Sequence, residues 1–324
     1  MNGPHRLSVL VIGAAGYIGR EAVRHLAESR AAESLVALDV RETPEMERMK
    51  NVRYLTGDVR DPGLADVLRE YAIQTVVHLA SIVTPGKRSN REFEYSVDVF
   101  GTRNVLECCV AMGVRHLVVT SSGAAYGYYA DNPQPLHEDD AIRGNPEFTY
   151  SDHKRQIEEM LAEYRRTHPE LKQLVLRPGT VLGEKTSNQI TALFEKRVIL
   201  GLRGCDTPFV FIWGQDVAAC ITKGVLEQAE GIYNLAGDGT LSLREIARIL
   251  GKPYLAIPPT AIRFGLRLLH AFGLTQYGPE QVDFLRYRPV LANDRLKAGF
   301  GYMPRYTTRE TFEFYLAHRG TDRV

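Results

Sequence analysis

A chain of 324 residues, 44% hydrophobic and 24% charged, is long enough for one large domain or two smaller ones and for a substantial buried core. Forty basic side chains against thirty-nine acidic ones leave a formal charge of +1, so the chain as a whole lacks the polyelectrolyte signature of a nucleic-acid or anionic-membrane binder, and any partner is recognised locally. The opening "MNGPHRLSVLVIG" has no export pattern, and no apolar run approaches the roughly 18 to 20 residues a bilayer span needs, so a soluble cytoplasmic protein is expected.

The first predicted strand, "LSVLVIG", runs into "AAGYIGREAVRHL", an amphipathic helix pattern. Gly13, Gly16 and Gly19 stand at the join as G-x-x-G-x-x-G. Glycines there let the backbone turn tightly and approach a pyrophosphate, whose charge the helix N-terminus receives. The second strand, "SLVALDV", ends in Asp39, twenty residues after Gly19. A carboxylate at that place binds the ribose hydroxyls of NAD and repels the 2′-phosphate of NADP, which puts NAD ahead. Arg41, two residues on, keeps NADP open. Asp58 in "LTGDVRD" follows a third strand and is either an adenine contact or a helix cap.

"TVVHLAS" and "HLVVTSS" continue the series of Val- and Leu-rich strands, with helical patterns between most of them. Cys108 and Cys109 sit in one such pattern; with Cys205 and Cys220 they match neither a disulfide framework nor a zinc spacing. His78, His137 and His153 likewise form no metal set, and no metal is expected. Next comes "TYSDHKRQIEEML", which places Tyr150 and Lys154 four apart at the start of a helix. Alone, that spacing is usually a solvated pair. Ser121 and Ser122 change the reading, because they leave the C-terminal end of a parallel strand, where open sheets bind ligands. A phenol with a pKa of about 10 is a poor base at neutral pH, but a neighbouring ammonium favours its phenolate. Tyr150 could then take a proton from a substrate hydroxyl, with Ser122 holding the oxygen and Lys154 tuning the tyrosine and anchoring the ribose.

A sixth strand, "QLVLRPG", closes the regular part. Strand and helix in alternation, with nearly continuous apolar strands, predict an α/β fold, a Rossmann-type doubly wound parallel sheet. The expected division is a cofactor domain over residues 1–178, with a return to the sheet at about 209–250, and a smaller C-terminal substrate-binding region from 179–208 and 251–324.

The ordered motifs "GAAGYIG", "GDVRD", "HLAS", "GTRNVLE", "TSSGAAYG", "YSDHK", "LVLRPGTVLG" and "GIYNLAGDGTLSLREIA" cover most of the chain. Together they resemble an extended short-chain dehydrogenase/reductase in the branch of NAD-dependent sugar epimerases and dehydratases. The resemblance implies Ser122, Tyr150 and Lys154 as the catalytic set. It implies a cofactor shell of Gly13, Gly16, Tyr17, Ile18, Gly19, Asp39, Asp58, Val59, Leu79, Ala80, Ser81 and Lys154. Ser121 and Tyr126 would border the substrate, Tyr126 being equally well explained as a packing residue, and a homodimer built through the Tyr150 helix is implied.

Three positions depart from that family's pattern. Thr180 stands three places after Arg177, where an asparagine usually contacts a nucleotide sugar; Phe209 replaces a phosphate-binding arginine; Asp98 replaces the asparagine of "NVxGT". Arg288, in "LRYRPVLAND", is a candidate for an anionic substrate group and equally a plain surface charge. The expected function is a transient hydride transfer on a sugar or nucleotide sugar, an oxidoreductase step inside an isomerase or dehydratase cycle. Thr180 and Phe209 support an alternative, a net dehydrogenase or reductase of a less polar alcohol or ketone, steroid- or flavonol-like. A non-catalytic NAD-binding protein is the third reading, which the intact Ser122, Tyr150 and Lys154 oppose.

Overall fold

The computed structural model describes residues 7–83, 90–184, 186, 188–275 and 278–319. Its strands in chain order are β1 (Leu7–Ile12), β2 (Ala32–Asp39), β3 (Arg53–Thr56), β4 (Thr75–His78), β5 (His116–Thr120), β6 (Lys172–Pro178) and β7 (Thr180–Leu182). Then follow β8 (Ile199–Leu202), β9 (Pro208–Phe209), β10 (Phe211–Trp213), β11 (Gly231–Leu235), β12 (Leu241–Ser242) and β13 (Tyr254–Ile257). The helices are α1 (Tyr17–Ser29), α2 (Leu64–Glu70), α3 (Arg91–Tyr95), α4 (Gly101–Ala111), α5 (Thr149–Thr167) and α6 (Gln189–Glu195). After these come α7 (Gly214–Glu227), α8 (Leu243–Ile249), α9 (Pro259–Ala271), α10 (Gln281–Arg286), α11 (Asp294–Ala298) and α12 (Thr308–His318).

Seven strands form one parallel sheet in the order β11-β6-β5-β4-β1-β2-β3. Successive side chains of a strand point to opposite faces, so an unbroken apolar strand needs cover on both. β1 illustrates this. Val9 and Val11 join the apolar layer shared with Ala22, Val23 and Leu26 of α1 and Val217 and Ile221 of α7. Leu10 and Ile12 face the opposite layer with Leu68 of α2, Val105 and Leu106 of α4, and Ile157 and Leu161 of α5. The fold is therefore a Rossmann-type doubly wound sheet.

A second core is built around Phe194, Phe209, Phe211, Phe312 and Tyr315. Leu241, Leu243 and Ile246 belong to it as well. The segment expected to return to the sheet over about 209–250 is thus divided: β11 pairs with β6 and α7 covers the sheet, while the flanking apolar residues fill the second core. Chain order misses this division because both destinations use the same short apolar runs.

The sheet reverses its winding between β1 and β4, which are neighbours although β2 and β3 separate them in sequence. Ligands of open α/β sheets bind at the carboxyl ends of the strands beside such a switch point. The site lies there.

Candidate active site

At the end of β1 the chain turns with Gly13 at φ +86°. A Cβ on Gly13 would lie 2.6 Å from the Ala80 backbone nitrogen, and one on Gly19 would lie 2.1 Å from the Gly13 carbonyl oxygen. Only glycine permits both the left-handed turn and the contact of α1 with the loop. The N-terminus of α1 opens on Gly16 with no side-chain cap and no acidic residue in its first turn. Its free backbone N–H groups make an anion receptor.

Asp39 stands at the end of β2 and is buried. Its Oδ2 accepts from the Ala15 backbone N–H at 2.9 Å, and its Oδ1 accepts from Arg41 N at 2.9 Å. The carboxylate therefore fixes the glycine turn and the residue after β2 together. Acceptor capacity remains on it, since a carboxylate offers about four lone-pair sites.

The C-terminal ends of the central strands open into a cleft of about 1020 Å³. Gly13, Gly16, Tyr17, Ile18, Gly19, Leu79 and Ser81 line one part of it, and Ser121, Ser122, Tyr150, Lys154, Thr180 and Arg288 line the other. The Ser81 and Ser121 hydroxyls are buried with no hydrogen-bond partner among the described residues. Four residues expected at the cofactor lie outside these walls. Asp39 is held as described. Ala80 is the backbone that Gly13 packs against. Asp58 is forked by Arg60 at 2.9 and 2.6 Å, which pulls its pKa down, and Val59 is buried under Gly101.

Ser122 and Tyr150 stand on the same wall of the cleft, the serine hydroxyl near enough to act on the phenol's pKa. Burial raises that pKa strongly; Ser122 lowers it, and Asp98 and Tyr128 raise it further. Lys154 is almost wholly buried, its Nζ donating to the Thr120 carbonyl at 3.0 Å and lying 5.5 Å from the Tyr150 ring centroid. Burial lowers the lysine pKa, and the charges of Asp98 and Glu158 raise it.

Asp98 sits in a π turn, Ser96–Phe100, and is buried. Its Oδ1 accepts from Ile82 N at 2.8 Å, and its Oδ2 pairs with His153 Nδ1 at 2.9 Å. It clamps the segment after β4 to the helix that carries Tyr150 and Lys154. His153, between those two residues, was not singled out for any such part in the sequence. His78 is buried beside them, its pKa pushed down to about 3 by burial and by Lys154, and is neutral.

Two residues expected at the substrate are placed elsewhere. Tyr126 is fully buried, its hydroxyl accepting from Arg177 Nη1 at 2.8 Å and donating toward Asn234 Oδ1 at 2.9 Å and the His137 carbonyl at 3.0 Å. It braces the seam of β6 and β11 instead of bordering the cleft. Phe209 is fully buried in the second core. Its effect on the cleft is indirect, for the Arg288 guanidinium lies 4.3 Å over its ring and 5.0 Å from that of Phe284.

Arg288 is 9% exposed, so it is no surface charge. One nitrogen, Nη2, donates to Thr180 Oγ1 at 3.3 Å, while Nη1 is buried with no hydrogen-bond partner among the described residues. A guanidinium in that state marks a place for an anion. Tyr128, Phe148 and Phe284 form an aromatic wall nearby, with centroids 4.8 to 5.8 Å apart. Single apolar letters in the sequence do not reveal such a wall; it is assembled from three distant elements.

A family model described as the NAD-dependent epimerase/dehydratase family matches residues 9–236. An uncharacterised protein of Mycobacterium tuberculosis is 24% identical over 315 residues, covering 96% of this chain and 84% of that protein. The UDP-glucose 4-epimerase of Erwinia amylovora is 31% identical over 194 residues, 57% of this chain and 56% of that enzyme. Among solved structures, the UDP-glucose 4-epimerase of Thermus thermophilus in complex with NAD superposes with a TM-score of 0.73 at 25% identity, covering 96% of this chain and 98% of that one.

Proposed function

Because the chain belongs to the NAD-dependent epimerase/dehydratase family, we propose that its cleft performs a transient hydride transfer on a sugar or nucleotide sugar, with Tyr150 as the acid/base. The observation that carries this reading is the convergence of Ser122, Tyr150 and Lys154 on one wall of the cleft. The residues present fit the cofactor. The turn at Gly13 and Gly19 leaves no room for a side chain, the α1 N-terminus is uncapped, and the Ser81 and Ser121 hydroxyls are buried and unpartnered among the described residues. Gly13, Gly16, Tyr17, Ile18 and Gly19 would hold the pyrophosphate side, and Lys154 the ribose next to the reacting ring.

Bound NAD would supply the hydride acceptor and, while oxidised, a positive ring charge. In the protein alone burial outweighs the effect of Ser122, so Tyr150 rests protonated. Ser122 holds the substrate oxygen, and Tyr150 takes the hydroxyl proton once positive charge surrounds it. Asp98 supports the charge of the buried Lys154 from behind.

Arg288 with Thr180 is the proposed seat of an anionic group on the substrate. Replacing Arg288 with Met is expected to raise KM for a negatively charged substrate about tenfold or more, the weight of a charge-assisted hydrogen bond. A neutral analogue should lose little. Equal KM values for variant and wild type on the charged substrate would remove Arg288 from recognition.

The second reading, a net dehydrogenase or reductase of a less polar alcohol or ketone, is favoured by the aromatic wall of Tyr128, Phe148 and Phe284. Quantifying NAD(H) and NADP(H) released on denaturing protein purified without added nucleotide separates the two. Near-stoichiometric NAD is expected for an internal redox cycle. An empty protein that binds NAD reversibly would count against the cycle and for net oxidation or reduction.

A further inference from the structure

Residues 251–279 contain no aspartate or glutamate, although acidic and basic side chains are balanced over the chain as a whole. Within this stretch, no residue of α9 is buried. Phe264, Leu268 and Phe272 recur every four residues and share one stripe, 64%, 44% and 76% exposed. Leu274, 73% exposed, prolongs it. Helical spacing sets Arg263 and Arg267 along one border of the stripe. Arg263 pairs with Asp283 and stays 44% exposed on its side chain.

The strand pair that leads into α9 has the same character. Leu200 of β8 and Leu255 of β13 are register partners, each 53% exposed. Lys196, Arg197 and Arg203 bracket β8 in sequence. A surface meant only for water mixes charges of both signs and avoids contiguous apolar area. A helix with Phe and Leu on one face, Arg at its edge and no acid is built for a lipid interface.

The geometry points to α9 docking on an anionic bilayer surface. Phe264, Leu268 and Phe272 enter the boundary between headgroups and acyl chains, and Arg263 and Arg267 meet the lipid phosphates. A second copy of the chain suits this face less well. Two-fold pairing of the stripe on itself would bring four arginines together, the two Arg263 side chains already held by Asp283 and no carboxylate from residues 251–279 available to the two Arg267 side chains. The near-neutral total charge hides this local segregation.

His270, in the last turn of α9, also belongs to the wall of the cleft, with Gln281 and Phe284. At about 100° per residue His270 falls on the side of α9 opposite the stripe, so the cleft wall and the docking face lie on opposite sides of the helix. The docking does not rest on the function proposed above, and its test needs no turnover.

The test is co-sedimentation of the full chain with extruded vesicles, either phosphatidylcholine alone or equal parts phosphatidylcholine and phosphatidylglycerol, at low salt. Binding to the anionic vesicles is expected, and far less to the neutral ones. Arg267→Gln should weaken it about fivefold, the weight of one basic residue at an anionic surface. The triple variant Phe264→Ser, Leu268→Ser, Phe272→Ser should lose more than about a hundredfold while keeping wild-type circular dichroism, since all three side chains are exposed. Failure of the wild type to pellet with either vesicle would overturn the proposal. So would a triple variant that pellets like wild type, or a concentration-dependent dimer that the triple variant abolishes.

Discussion

Replacing Tyr150 with Phe is expected to lower kcat by about a hundred- to ten-thousand-fold, the usual weight of a positioned acid/base group, while NAD affinity stays near wild type. Phenylalanine keeps the ring and removes only the hydroxyl that Ser122 acts on. Ser122 is a poor substitute, since an aliphatic hydroxyl is a weak base at neutral pH and its oxygen already accepts from Ala124 N at 3.1 Å. Lys154 cannot take over, for an ammonium has no lone pair with which to accept the proton. A competing phenol stands in the same cleft. Tyr128 also lines the cleft, with a phenol whose pKa is raised by burial. Parallel measurement of Tyr128→Phe settles which phenol works: unchanged turnover in the Tyr150 variant, with collapse in the Tyr128 variant, would transfer the role. Titration of each variant with NAD, followed by fluorescence, separates a chemical defect from a binding one.

What the sequence discloses here follows the range of the interactions involved. The sheet was legible because strands such as β1, β5 and β6 carry apolar side chains on both faces, a local property of five to seven letters. The glycine turn was legible because Gly13, Gly16 and Gly19 stand together at one join of strand and helix, although the backbone that excludes a side chain at Gly13 comes from Leu79 and Ala80. Tyr150 and Lys154 were legible as a pair four apart on one helix. The remaining features are partnerships across long separations. Asp98 and His153 are 55 residues apart, and Tyr126 and Asn234 are 108 apart. No periodicity announces such pairs. Tyr126 was expected at the substrate because of its place after the serine, yet an arginine from β6 and an asparagine from β11 claim its hydroxyl first. Arg288 and Phe209 reverse the usual rule in the same way. Both are buried, but the arginine faces the cleft and the phenylalanine is the support behind it.

Glu158→Gln is expected to cost the fold about 3 to 5 kcal/mol, a large share of the roughly 5 to 15 kcal/mol that separates most native states from unfolded ones. Arg177 and Glu158 have side chains only 3% and 5% exposed and meet as a fork, with Nε to Oε1 and Nη2 to Oε2 both at 2.7 Å. Arg177 also donates to the Tyr126 hydroxyl and the Glu138 carbonyl. Glutamine fills the same space but withdraws the countercharge, so the guanidinium stays buried with only neutral acceptors and one –NH2 directed at it. The loss should appear as a lower urea midpoint with an unchanged slope. Removing both charges, in Arg177→Met with Glu158→Leu, should restore most of the stability, because two well-packed apolar side chains need no compensation. The consequence reaches the site, since Glu158 lies one turn after Lys154 on α5. The pair seats that helix on β6, and its charge helps keep Lys154 protonated. The double variant should therefore fold well yet turn over slowly. A double variant with full stability and full activity would show that Ile157 and Leu161, packed in the apolar layer beneath the sheet, hold α5 in register without help from the ion pair.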